Sequence, residues 1–102
     1  MQDKIQIQFV KIPVSEALTF YINEKLGRTL EKYPWVIKAQ VFIKKEVKDV
    51  NNECVCEIEL SLPGPRKFAS FKSYNYEVAI KNTLAELEHQ LKKVKERSFS
   101  TN

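Results

Sequence analysis

Glycine is scarce in this sequence: the 102 residues include two, Gly27 and Gly64. That excludes the glycine-rich loops that cradle nucleotide phosphates, and no G-x-S-x-G nucleophile elbow is present either. Histidine is scarcer still, with His89 alone, so paired-histidine metal and metalloprotease motifs are excluded. Cysteine occurs twice, as Cys54 and Cys56. Residues two apart on a strand have Cα atoms roughly 6.5 to 7 Å apart, at or past the edge of disulfide geometry. Two reduced thiols packed as small hydrophobes are the expectation. Apolar runs are short, and none approaches the roughly 20 residues of a membrane span. "MQDKIQIQFV" lacks the layout of a signal peptide. A single-domain protein of the cytoplasm is therefore expected, with no membrane partner, cofactor, metal or small-molecule substrate, and no catalytic residues.

What the sequence does hold is a folding composition with a cationic bias. Hydrophobic residues make up 43% and charged residues 29%; 17 Lys and Arg face 13 Asp and Glu, for a net charge of +4. The sequence pI is about 9.1. An excess of this size favours acidic partners without identifying one.

Periodicity orders the chain as β-α-β-β-β-α. "KIQIQF" alternates, with Ile5, Ile7 and Phe9 on one side. Ser15 is a natural N-cap for a helix carrying Leu18, Tyr21, Ile22, Leu26 and Leu30 on one stripe, stopped by Pro34. "VIKAQVFIKKE" predicts a second strand with Ile37, Ala39, Val41 and Ile43 on the core face. "KDVNNE" reads as a polar turn. "CVCEIELSL" predicts a third strand that buries Cys54, Cys56, Ile58, Leu60 and Leu62, with Glu57 and Glu59 facing out among lysines in cross-strand pairs. "PGP" is a tight turn that uses Gly64 at positive φ. "RKFASFK" is a fourth strand whose facing stays open. Tyr76, Ile80, Leu84, Leu87, Leu91 and Val94 make the stripe of a long last helix, and His89 lies opposite that stripe, as a solvated histidine does. The expected fold is α+β: a two-layer sandwich with a four-stranded sheet and both helices on one face, the first strand parallel to the second. Phe42 and Val55 fall on the other, outward face of the sheet. Residues 1–97 form the domain and 98–102 a flexible tail.

The basic residues are arranged rather than scattered. Helix geometry puts Lys81, Lys92 and Lys95 on one flank of the last helix and Lys93 and Arg97 on the other. On the first helix Arg28 and Lys32 are four apart on the exposed side, and Lys25 borders it. Because both helices cover the same sheet face, these groups are candidates for one RNA-binding surface. From the residues alone a second explanation stays open: lysines at a helix C-terminus offset its negative dipole. A coiled coil is disfavoured, since the apolar stripe is needed to cover the sheet. A membrane-surface helix would need that stripe free.

Several stretches taken together resemble the ribosome hibernation-promoting factors and ribosome-associated inhibitors, the sigma-54 modulation protein family. They are "VSEALTFYINEKL", "LEKY", "IELSLPG" followed by "FAS", and "YEVAI…LAELEHQLKKVKER", in that order and spacing, spanning about residues 4–97. The resemblance implies the same fold, similar to double-stranded RNA-binding domains. It also implies binding to the small ribosomal subunit and its rRNA, in the channel that mRNA and tRNAs use during decoding. On this reading the protein is a bacterial translation regulator of the stress response that keeps ribosomes inactive, and is a monomer off the ribosome. Matched by motif, Lys25 falls on a position often basic in the family. Lys32 is the lysine of "LEKY", and Lys92, Lys93 and Lys95 are the basic end of the last helix. There are departures. "KLGRTLEKY" is one residue longer than the usual spacing, around Gly27. Asn75 replaces an acidic cap. The acidic tail of the inhibitor subtype and the second domain of the long members are lacking, as in a short hibernation-promoting factor. The alternative is a general RNA-binding or protein-interaction module of the same fold.

Overall fold

The structure, a computed structural model, describes residues 4–48 and 51–99. Four strands and two helices follow one another as β1 (Ile5–Val10), α1 (Glu16–Lys32), β2 (Lys38–Lys48), β3 (Asn51–Ser61), β4 (Lys67–Ser73) and α2 (Tyr76–Phe99). The sheet order is β1-β2-β3-β4, with β1 parallel to β2 and the other neighbours antiparallel. This is the expected architecture.

Strand alternation sets up the core. Across the sheet, Ile7, Val41, Ile58 and Ala69 form one row, and Phe9, Ile43, Cys56 and Phe71 the next. Side chains of a row share a face, and both helices pack on this one: Ile22, Leu26 and Leu30 from α1 and Ala79, Ile80, Leu84, Leu87 and Leu91 from α2 join the same buried cluster. Both helices begin where a side chain satisfies otherwise unpaired amides. The Ser15 hydroxyl accepts from the Leu18 N–H at 3.1 Å. The Asn75 Oδ1 accepts from the N–H groups of Glu77 and Val78 at 2.7 and 3.3 Å, so asparagine serves as the cap of α2. Gly64 takes φ +109°, as the turn before β4 requires.

One local reading changes, and two are completed. Ile37 is expected in the core but is 59% exposed, and Val36 is buried in its place. The backbone turns before β2 starts: the Val36 N–H donates to Tyr33 O at 3.1 Å, and sheet pairing begins with Ile37 N–H to Ser61 O at 2.7 Å. Strand alternation does not apply within a turn. Val55, expected to face outward, does so yet is only 2% exposed. It sits between Lys44 and Lys72 on the neighbouring strands. Those lysines are tied to Glu57 at 3.0 Å and Glu46 at 2.7 Å, so their aliphatic stems can cover it. On β4, left open by the sequence, Ala69 turns to the core and Phe68 to the outer face, where it is 54% exposed.

At the chain's C-terminal end α2 runs through Phe99, so Ser98 and Phe99 continue the helix; the rest of the expected tail, residues 100–102, lies outside the described residues. The polar turn read from "KDVNNE" is shortened by strand pairing as far as Lys48 and Asn51, and residues 49–50 are outside the described residues. No helix among the described residues is long and apolar enough to cross a membrane.

Cys54 and Cys56 are free thiols and buried. Burial pushes the Cys56 thiol up to about 11, against a smaller downward pull from the Thr83 hydroxyl. Since the thiolate is the reacting form, modification of the native protein at neutral pH by a bulky maleimide is expected to be slow at both positions and rapid in denaturant. Fast native labelling, followed by mass spectrometry, would refute this strand register.

Candidate nucleic-acid interface

The packing that buries the stripe of each helix also decides which basic side chains meet. On α1, Lys25, Arg28 and Lys32 follow one another at spacings of three and four, alongside the buried Leu26, Thr29 and Leu30. On α2, Lys81, Ala85 and Glu88 do the same alongside Leu84 and Leu87. Between the helices lies an open groove lined by Lys25, Arg28, Lys32 and Lys81, with Glu88 among them and Tyr21, Thr29, Leu84 and Ala85 making up the rest. The small Ala85 side chain helps to leave that space.

Four of the sequence candidates therefore converge. The same helical line that carries Lys81, Ala85 and Glu88 continues through Lys92 and Lys95, at spacings of four and three. Both lysines are exposed beyond the groove. Lys93 and Arg97 lie elsewhere. Their line passes through Glu86 and Gln90, and the Gln90 amide donates to Phe68 O of β4 at 3.2 Å and to Glu86 Oε2 at 3.0 Å. That flank faces the β4 edge, so the basic groups form a main band along the interhelical groove and a second, smaller one beside the sheet.

Most groove cations have local partners. Lys25 Nζ lies 5.8 Å from the centroid of the Tyr21 ring, a cation–π distance. Arg28 pairs with Glu24 at 2.9 Å. Lys32 bridges to Glu88 on the other helix. That hydrogen bond, with the attraction of the same carboxylate, holds the Lys32 ammonium above its ordinary pKa. Lys81, by contrast, makes no ion pair among the described residues. These partners were missing from the sequence reading. Glu24 and Tyr21 stand four residues before their cations, a helical signal that was available. Glu88 lies 56 positions from Lys32, and only the packing of the helices brings it there.

The residues present are suited to holding phosphate by charge and hydrogen bonding: the basic groups are exposed and ringed around a groove with an aromatic side chain. His89 is exposed and outside the groove lining.

The fold is shared with solved structures. A ribosomal subunit interface protein from Coxiella burnetii superposes with a TM-score of 0.78 at 21% identity, over 89% of this chain and 96% of that one. The N-terminal domain of Protein Y from Thermus thermophilus superposes with a TM-score of 0.70 at 22% identity, over 88% and 94%. No curated protein matches the chain. A family model matches residues 5–98, nearly the whole described chain, and by it the protein belongs to the Sigma 54 modulation protein / S30EA ribosomal protein family.

Proposed function

We propose that this protein is a ribosome hibernation factor. It binds the small ribosomal subunit through the two-helix surface and occupies the channel that mRNA and tRNAs need, keeping the ribosome inactive. The observation that carries this reading is the convergence of Lys25, Arg28, Lys32 and Lys81 on one groove, in a member of a family described by a ribosomal protein. Lys92 and Lys95 extend the groove side, and Lys93 and Arg97 contribute from the β4 flank. The protein acts by occupancy. Bound basic groups neutralise rRNA phosphates, and the folded domain excludes other ligands from the same space.

Sedimentation tests the partner. In a sucrose gradient of cell lysate the protein should travel with small subunits or non-translating ribosomes, and assembling initiation complexes first should reduce its binding. Spread across unrelated RNA fractions would favour a general RNA-binding module instead.

Affinity should also fall with salt. Contacts from about five basic residues are expected to give a slope of roughly −4 in log affinity against log salt. A titration that stays flat between low and moderate salt would count against a phosphate-binding surface.

A further inference from the structure

The four cations of the groove are not equally free to take a phosphate. Lys32 is bridged to Glu88, Arg28 is paired with Glu24, and Lys25 rests over the Tyr21 ring. Lys81 lines the same groove and is exposed, yet among the described residues it has no hydrogen bond, ion pair or ring contact. The carboxylate within helical reach of it is Glu77, four residues before. Glu77 stands in the first turn of α2, where its charge meets the positive end of the helix, and no bond joins it to Lys81.

A bound phosphate must replace the carboxylate that a cation already holds. At Lys32 the ligand gains the new contact less the pair it opens. The worth of an exposed pair is small and already net of the ordering of its side chains, about a factor of two to five in an equilibrium constant. The Lys32 and Glu88 side chains are 59% and 36% exposed, so that range applies to them. Lys81 gives up no partner, and its contact counts in full.

We propose that Lys81 is the principal phosphate anchor of the groove, and that Lys32 and Arg28 bind rRNA at a strength reduced by Glu88 and Glu24. The inference rests on the ribosome reading above and adds to it a ranking within the basic surface. The ranking does not follow the number of cations on each helix. The α1 line carries three groove cations, and two of them are neutralised by acidic partners. The α2 line carries one, and it is unpaired.

The test compares Lys81→Met with Lys32→Met. Methionine keeps an unbranched stem and removes the charge, and both lysines are exposed, so the fold should survive either change. Affinity of the full chain for isolated small ribosomal subunits is measured at one salt concentration, for each variant alone and combined with Glu88→Gln or Glu77→Gln. Lys81→Met is expected to weaken binding about tenfold or more, as loss of a charge-assisted contact does. Lys32→Met should cost about two- to fivefold less than that. With Glu88→Gln in place the pair is already gone, so the cost of Lys32→Met should rise by the same two- to fivefold factor. The cost of Lys81→Met should stay the same in both backgrounds. Glu88 lies seven residues along α2 from Lys81, about 10 Å, roughly a Debye length at 0.1 M salt. Three results would each overturn the proposal: Lys32→Met costing as much as Lys81→Met, a Lys32→Met cost that Glu88→Gln leaves unchanged, or a Lys81→Met cost that rises with Glu77→Gln. Wild-type protein without affinity for small subunits would sink the ribosome reading and this inference with it. Tight wild-type binding with the two lysines ranked the other way sinks the inference alone.

Discussion

Replacing Lys92, Lys93 and Lys95 together by Glu is expected to abolish ribosome binding and leave the fold intact. All three side chains are exposed near the end of α2, and none joins the buried cluster. A charge-assisted contact contributes at least about 1.5 kcal/mol. Losing three costs about 4.5 kcal/mol, more than a thousandfold in affinity, before the repulsion of the new carboxylates is added. Stability should change far less. Surface substitutions usually stay within about 0.5 kcal/mol, with a further loss from placing acidic groups near the negative end of a helix. Binding to purified small subunits and a urea melt separate the two effects. A folded triple variant that binds normally would move the contact surface elsewhere, with the outer sheet face around Phe42 the next place to look.

The second large effect is on stability. Leu87 is fully buried, in the stripe by which α2 covers the sheet. Leu87→Ala should cost about 2 to 5 kcal/mol, through lost transfer energy and the cavity left behind. For a domain this small, with a total stability of order 5 to 15 kcal/mol, that is a large share. The urea midpoint should drop markedly at unchanged slope. The same variant should weaken ribosome binding only in proportion to the unfolded fraction, because Leu87 itself contacts no ligand. A loss of less than 0.5 kcal/mol would show that α2 does not seal the core as described.

These two variants separate what was legible in the sequence from what was not. The core was legible because its signal is local: Ile58 and Leu60 on β3, or Leu84, Leu87 and Leu91 on α2, declare their face by spacing alone. The cap at Ser15 was readable for the same reason, whereas Asn75 entered only through the family resemblance, in place of an acidic cap. The fourth strand was not, because "KFASFKS" places Phe68 and Phe71 three apart, hence on opposite faces, and small Ala69 marks the core. Val55 faces outward as its spacing says, but its burial leaves no pattern along its own strand. The candidate site was half legible. Helix geometry yields the basic lines, Lys25–Arg28–Lys32 and Lys81–Lys92–Lys95. It does not reveal which line of one helix faces which line of the other. That depends on tertiary packing, which joins Lys81 to the α1 cations, brings Glu88 to Lys32, and leaves Lys93 and Arg97 on the β4 flank.

Occupancy is the central claim, and stoichiometry tests it most directly. Purified protein is titrated into a cell-free translation reaction of known active ribosome concentration, with the triple lysine variant in parallel. Inhibition should become complete only as the wild-type protein approaches one copy per ribosome. It should reverse after a high-salt wash, weaken when initiation complexes are formed first, and be absent with the variant. Complete shutdown at a small fraction of the ribosome concentration, or inhibition that persists after the protein is washed away, would point to a catalytic change in the RNA or protein and would contradict the claim.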